Sequence, residues 1–204
     1  MVPPINPYVL PKSFQSFLRP LVRSLAGSGV GPYQSTIAAF MLGVVVGGLI
    51  ALNPTVRWPM LLMPGALFIR MALNAIDGML AREHGMKSPL GAILNEIGDV
   101  LSDAALYLPL AAVPGLNPLW VVLVVVLAII SEMTGVIAVQ IGSTRRYDGP
   151  MGKSDRALVF GVLCLLLGFG VDGSRWADGL MLVTMALLVV TIINRAARAL
   201  AEVD

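Results

Sequence analysis

The sequence predicts an all-α integral membrane protein, in which six transmembrane helices follow an N-terminal amphipathic interfacial helix. Hydrophobic residues make up 57% of the 204-residue chain and charged residues only 13%, whereas about a quarter of a typical soluble domain is charged. The charges are also widely spaced, because they are absent from 24–56, 104–131, 157–171 and 179–194. Breaker pairs such as Asn53-Pro54 then divide the apolar stretches.

The same composition excludes several other classes of protein. So apolar a chain is not intrinsically disordered, and a net charge of +2 from 14 basic and 12 acidic residues does not indicate a nucleic-acid partner. Cys164 is the single cysteine, so neither a disulfide framework nor a cysteine metal site can form.

A bilayer core requires roughly 20 mostly apolar residues in a helix. We predict one membrane domain over 1–204, with an amphipathic segment at 1–33 and a six-helix bundle at 34–197. The predicted spans are 34–53, 58–80, 91–113, 118–141, 155–171 and 177–197.

The N-terminal segment has polar residues at helical spacing, at Lys12, Ser16, Arg19 and Arg23. Apolar residues occupy the opposite face, which is typical of a helix lying among lipid head groups. Pro20 would kink or restart this helix, and an irregular juxtamembrane segment is the alternative.

The distribution of basic residues supports the count of six spans. Eleven of the 14 lysines and arginines fall before span one, between spans two and three, between four and five, or at the end of span six. Short cytoplasmic loops collect such residues. Both termini are therefore expected in the cytoplasm, in a multi-pass protein of a bacterial inner membrane.

Polar residues inside the spans are costly and mark a functional site by default. Two sets each occupy one helical face through spacings of three or four residues: Arg70, Asn74 and Asp77 in span two, and Asn95, Asp99 and Asp103 in span three. Their oxygen atoms suit Mg²⁺ or Mn²⁺ acting with a substrate phosphate. The alternative is structural, with buried amides and carboxylates that hold the helices together.

The segment joining these two sets decides between the alternatives. It reads Asn74-x2-Asp77-Gly78-x2-Ala81-Arg82-x8-Gly91-x3-Asn95-x3-Asp99. This resembles the signature of the CDP-alcohol phosphotransferase (CDP-alcohol phosphatidyltransferase) family, Asp-x2-Asp-Gly-x2-Ala-Arg-x8-Gly-x3-Asp-x3-Asp, with every spacing kept. Two shorter stretches, 32–36 and 152–156, resemble the family's elements ahead of its first and fifth spans.

The resemblance implies metal-dependent transfer of a phosphatidyl group, as in phospholipid biosynthesis. A CDP-linked lipid such as CDP-diacylglycerol would be the donor, an alcohol that the sequence does not identify would be the acceptor, and CMP would leave. By position, the metal residues would be Asn74, Asp77, Asn95 and Asp99, and Asp99 would also be the general base. The nucleotide residues would be Gly78, Ala81, Arg82 and Gly91, and a donor or acceptor phosphate would contact Lys153 and Arg156. The family also implies a homodimer.

Asparagine replaces the first and third aspartates of the signature, at Asn74 and Asn95. One tightly held metal ion, with a second brought by the diphosphate, would accommodate the change. Alternatively, Glu96 or Asp103 compensates as an additional acid, or the protein binds a nucleotide or lipid without turnover. A small membrane transporter is a less favoured alternative, because no internal repeat is evident.

Glu132 is a charged residue inside predicted span four. We expect it either to form a buried ion pair with Arg70 or to line the acceptor pocket.

Overall fold

The computed structural model describes residues 12–174 and 176–203, with side chains from Phe14 onward, and this part of the chain is all-helical. Residues 1–11 of the predicted segment 1–33, and Arg175, lie outside it. The described residues form seven α-helices and one short 3₁₀ helix, Leu108–Ala112. The α-helices are α1 (Lys12–Gly27), α2 (Pro32–Leu52), α3 (Trp58–Glu83), α4 (Pro89–Tyr107), α5 (Pro118–Gln140), α6 (Lys153–Gly168) and α7 (Ala177–Val203). The all-α prediction is confirmed.

Four of these helices, α2, α3, α5 and α7, are long and apolar enough to cross a bilayer. They coincide with four of the six predicted spans, so the chain is an integral membrane protein. Helix α4 has 19 residues and carries three carboxylates, and α6 has only 16 residues. Their crossing of the membrane stays a prediction.

The third predicted span, 91–113, is not one continuous α-helix. Helix α4 ends at Tyr107 and the chain continues as the 3₁₀ helix. Pro109 explains the change, because it has no backbone N–H for the carbonyl oxygen of Ala105 and its ring would clash there. The ring of Tyr107 instead stacks on Phe160 of α6 at a centroid distance of 4.0 Å.

Helix α1 continues through Pro20 and lies against α3. Leu18 and Val22 are buried in a small apolar cluster with residues of α3. Phe17 of the same helix is 79% exposed. The irregular alternative for this segment is therefore wrong over the described residues, while the location of α1 at the membrane interface stays a prediction.

The remaining helices pair so that their polar ends meet at one end of the bundle. Helix α2 contacts α3 and α4, α3 contacts α6, and α5 contacts α7. Most of the buried apolar residues form one core cluster around Tyr107, Phe160 and the 3₁₀ helix. The end of α3 and the starts of α4 and α6 lie at the other end, where the charged side chains gather.

Candidate active site

A cavity of about 300 Å³ opens at the polar end of the bundle, between α3, α4, the α5–α6 loop and the start of α6. Seven of the residues predicted for the site line it: Asn74, Asp77, Gly78, Arg82, Asn95, Asp99 and Lys153. The four predicted metal positions are thus brought together from two helices. Their helical spacing accounts for this, because each pair repeats after three or four residues.

Two carboxylates in the cavity have defined partners. Asp77 is buried and accepts a hydrogen bond of 3.2 Å from Oγ1 of Thr36 on α2. Asp99 accepts one of 3.2 Å from Nδ2 of Asn74 and forms an ion pair with the ammonium group of Lys153. Lys153 therefore neutralises the predicted base position in this structure.

The oxygen donors of the cavity fit one hard divalent cation. Two carboxylates and two amides can supply oxygen ligands, and Mg²⁺-type sites commonly combine one or two carboxylates with substrate phosphates. Among the described residues, no group of three or more His, Cys, Asp or Glu side chains could hold a metal. Asn74 and Asn95 account for this, because they stand where the family signature has acids.

The predicted nucleotide residues divide into two groups. Gly78 and Arg82 line the cavity, and a Cβ at Gly78 would lie 2.9 Å from Nη2 of Arg82. The glycine therefore leaves room for this guanidinium beside α3. Ala81 is not among the lining residues, and neither is Gly91. The N–H of Gly91 donates to Oγ of Ser88 at 3.0 Å, so Ser88 caps the start of α4.

The second predicted phosphate residue, Arg156, is 1% exposed and lies behind the cavity. Its Nη2 donates to Asp103 at 2.8 Å and to Glu132 at 3.0 Å. Unlike Lys153, which faces the cavity, Arg156 connects helices in the interior.

Both predicted compensating acids are bound to arginine in this structure. Arg145 forms a two-pronged contact with Glu96, at 2.5 and 2.6 Å. Asp103 lies between Arg70 and Arg156 and is buried. Neither acid lines the cavity in the described part of the chain.

The predicted ion pair between Glu132 and Arg70 is wrong. Glu132 lies within 3.0 to 3.4 Å of arginines from three other segments, namely Arg145, Arg156 and Arg195. Arg70 pairs with residues of α4 instead. It contacts Asp103 and donates to the carbonyl oxygen of Asp99 at 2.8 Å. Glu132 does line the cavity, and its place in an acceptor pocket stays a prediction.

Several residues that line the cavity were not predicted for the site: Gln15, Tyr147, Ser154 and Arg195. Arg145 also lines it, and the sequence makes Arg145 a candidate contact for anionic lipid or an acceptor phosphate, with the positive-inside signal as an equal explanation. Nothing in the sequence indicated that its loop folds back. The loop is held against α5 by a hydrogen bond, in which the N–H of Arg146 donates to the carbonyl oxygen of Gly135 at 3.1 Å. Glycine at this position permits so close an approach. A Cβ at Gly135 would lie only 2.5 Å from the carbonyl oxygen of Arg146.

Arg145 and Tyr147 form the loop wall of the cavity, with the guanidinium 4.3 Å from the ring centroid. Burial alone would lower the pKa of Arg145. The hydrogen bonds and the negative charge of Glu96 outweigh burial, so the pKa of Arg145 lies above its usual value. Burial raises the pKa of Tyr147, and the neighbouring Arg145 partly opposes this. At neutral pH the wall therefore presents a guanidinium cation and a protonated phenol.

The fold and this cavity describe a helical membrane protein whose polar side chains meet at one end of the bundle. A family model described as CDP-alcohol phosphatidyltransferase matches residues 30–194, and the chain belongs to this family. The predicted resemblance is thereby confirmed. Membership supports an enzyme of phospholipid synthesis that transfers a phosphatidyl group.

The chain is also similar to individual proteins, in sequence or in fold. The chain is 44% identical over 190 residues to the inner membrane protein YnbA of Escherichia coli (strain K12), covering 92% of this chain and 93% of that protein. Its fold is similar to crystal structures of the phosphatidylinositol phosphate synthase PgsA1 of Mycobacterium tuberculosis, at 19% identity. The structure with CDP-DAG bound has a TM-score of 0.68 and covers 90% of this chain and 92% of that chain. The structure with manganese and citrate has a TM-score of 0.69, with 90% and 88% covered.

Proposed function

We propose that this protein transfers a phosphatidyl group from a CDP-linked lipid such as CDP-diacylglycerol to an alcohol, with release of CMP. The observation that carries the proposal is the meeting of Asn74, Asp77, Asn95 and Asp99 in one cavity with Lys153. The relative PgsA1 was crystallised with CDP-DAG and, separately, with manganese, which supports a liponucleotide donor and a divalent cation here.

Asn74, Asp77, Asn95 and Asp99 would hold Mg²⁺ or Mn²⁺. When bound, the cation would neutralise charge on the diphosphate, which is the main requirement of phosphoryl transfer. Gly78 and Arg82 would contact the nucleotide from α3. Lys153 would leave Asp99 and bind a diphosphate oxygen.

In the reaction the acceptor oxygen forms a bond to the phosphorus that carries the lipid, and the bond from that phosphorus to the oxygen of CMP breaks. Asp99 accepts the proton of the acceptor hydroxyl. Departure of Lys153 from Asp99 would leave the carboxylate available as the base, so donor binding and base activation would be coupled through one lysine.

We further propose that the cavity faces the cytoplasm and that all six helices from α2 to α7 cross the membrane. The basic residues around the cavity lie in the segments that the positive-inside rule assigns to the cytoplasm. A homodimer and an inner-membrane location, by analogy with YnbA, complete the proposal.

The test is an assay of CMP release from labelled CDP-diacylglycerol by the purified full-length protein with Mg²⁺ or Mn²⁺ and a panel of alcohols. We expect Asp99→Asn to lower the rate by about 10²–10⁴-fold, the usual contribution of a general base. Asp172→Asn is the matched control, since Asp172 is exposed in the loop after α6, at the opposite end from Lys153. Binding of CDP-diacylglycerol without release under any metal would instead indicate a member of the family that has lost turnover.

A further inference from the structure

We propose that the acceptor is an uncharged polyhydroxy alcohol, and that the acceptor side of the cavity selects against a phosphorylated one. This inference rests on the proposed transfer reaction. It comes from the contacts of two arginines in the cavity wall, Arg145 and Arg195, which lie outside the family signature.

The first arginine of this wall, Arg145, has its donor edge occupied. Its Nε and Nη2 donate to the two carboxylate oxygens of Glu96 at 2.5 and 2.6 Å, and Nη2 also donates to Glu132 at 3.3 Å. Its Nη1 donates to the carbonyl oxygen of Arg146 at 3.3 Å. Arginine also binds phosphate in a bidentate manner through these two nitrogen atoms. Arg145 would therefore have to break its hydrogen bonds to Glu96 before it could bind a phosphate.

The second arginine, Arg195, has two of its three nitrogen atoms engaged, mainly by backbone carbonyl oxygens. Its Nη1 donates to the carbonyl oxygen of Ser131 at 2.5 Å and lies 3.4 Å from Glu132. Its Nε donates to the carbonyl oxygen of Asp148 at 3.2 Å. With 1% of its surface exposed, Arg195 has little freedom to turn toward a ligand.

The carboxylates on this side of the cavity already contact arginines. Glu96 contacts Arg145, and Glu132 contacts Arg145, Arg156 and Arg195. A phosphate placed beside Glu132 would meet a like charge, while these arginines are engaged with carboxylates and, in the proposed reaction, Lys153 serves the donor diphosphate. Like charges placed together across an interface disfavour binding strongly.

Hydroxyl groups suit the same surface well. The Glu132 carboxylate accepts hydrogen bonds, and the hydroxyls of Tyr147 and Ser154 can donate or accept them. All three residues line the cavity. A polyol can offer one hydroxyl to Asp99 and use others on this wall without adding charge.

The experiment compares matched acceptors that differ by one phosphate: glycerol with glycerol 3-phosphate, and inositol with inositol 1-phosphate. CMP release from labelled CDP-diacylglycerol is measured with the full-length protein at saturating metal. We expect the uncharged member of at least one pair to be used at least about tenfold faster than its phosphorylated partner. Preference for the phosphorylated members, or for serine over every polyol, would overturn the inference.

The variant Glu96→Gln removes the carboxylate that binds Nε and Nη2 of Arg145. We expect the ratio of rates with the phosphorylated and uncharged acceptors to rise by about tenfold. Glu83→Gln is the matched control, because it also removes a glutamate from an arginine pair, Arg19 with Glu83, on the exposed surface of α1 and α3. An unchanged ratio in both variants would show that Glu96 does not shield Arg145.

A binding measurement separates this inference from the transfer reaction. If no acceptor causes CMP release while CDP-diacylglycerol still binds, the proposed reaction fails. Each alcohol is then added to the protein with CDP-diacylglycerol bound, and the melting temperature is measured. A saturable rise with the uncharged alcohol but not with the phosphorylated one would still support the inference. No rise with any uncharged alcohol would overturn it.

Discussion

Arginine and carboxylate side chains pair in two different settings in this protein. In the interior, Asp103 is shared by Arg70 and Arg156, and the three side chains are between 1% and 7% exposed. At the surface, Arg19 of α1 meets Glu83 of α3 at 3.2 Å, with side chains 47% and 34% exposed. The chemistry is the same, but only the interior pairs are removed from water.

The comparison shows what buried charges cost and what they achieve. Burying an ion pair carries a desolvation penalty that often exceeds the attraction gained, so the interior cluster is poor evidence for stability. It connects α3, α4 and α6 directly behind the cavity, and the positions of Asp99 and Lys153 depend on those helices. The surface pair has no such role, because α1 is already held by Leu18 and Val22.

The largest effect is expected from Asp103→Ala, which leaves two arginines buried without their shared carboxylate. Removing one partner of a buried pair typically costs about 3–5 kcal/mol. The free energy of unfolding in detergent is the measurement, with Asp172→Ala as the exposed control. Equal effects of the two variants would contradict the distinction between the settings.

Asn74→Asp adds a further carboxylate to the cavity, directly beside Asp99. The amide Nδ2 that now donates to Asp99 at 3.2 Å becomes a carboxylate oxygen facing another carboxylate. Without metal, we expect the free energy of unfolding to fall by about 1–3 kcal/mol. With Mn²⁺ at one hundred times its Kd, we expect it to rise by about 2.7 kcal/mol.

The control for that variant is Asn117→Asp at the start of α5, where Asn117 accepts from the N–H of Leu119. Aspartate caps a helix as well as asparagine does, so neither stability nor the response to Mn²⁺ should change. If melting of Asn74→Asp is insensitive to Mn²⁺, Asn74 does not occupy a metal position.

Gly47→Ala tests whether close helix contact, as well as charge, positions α4. A Cβ at Gly47 would overlap the carbonyl oxygen of Ala105, whereas a Cβ at Gly48 meets no atom within 4 Å. Overpacking should make Gly47→Ala less stable by about 1–3 kcal/mol. Gly48→Ala should be more stable by about 0.5–1 kcal/mol. The same sign for both would show that α2 and α4 can separate at little cost.

The smallest effect is expected for Glu83→Gln at the exposed pair. Exposed ion pairs gain little because water screens them and long side chains lose freedom. The melting temperature should stay within error of the unmodified protein. A decrease as large as that of Gly47→Ala would mean that this pair, and not the apolar contact, docks α1.

Much of the fold and part of the site could be predicted before the structure. Helix α2, for example, lies within two residues of its predicted span, since long apolar runs between breakers leave few alternatives. The signature residues on α3 and α4 share a cavity because local helical spacing determines which side chains face one another. Thr36 also belongs to a stretch noticed in the sequence, 32–36, and its hydroxyl reaches Asp77.

The partners of the charged residues could not be predicted in the same way. Glu132 and Arg70 were matched as two buried charges of opposite sign, but each has nearer partners in this structure. Pairing between helices depends on which helices are neighbours and on their relative rotation, and sequence spacing along one helix contains neither quantity.

By itself the sequence determined that this is a helical membrane protein of the CDP-alcohol phosphatidyltransferase type, with asparagine at two signature positions. The helical membrane class follows from composition and charge spacing, and the family follows from the resemblance of residues 74–99 to its signature. Only the tertiary structure decided that Arg145 and Arg195 wall the cavity while bound to glutamates. That arrangement joins side chains from α4, α5, the α5–α6 loop and α7, and it exists only because the α5–α6 loop folds back along α5 and α7 packs beside α5.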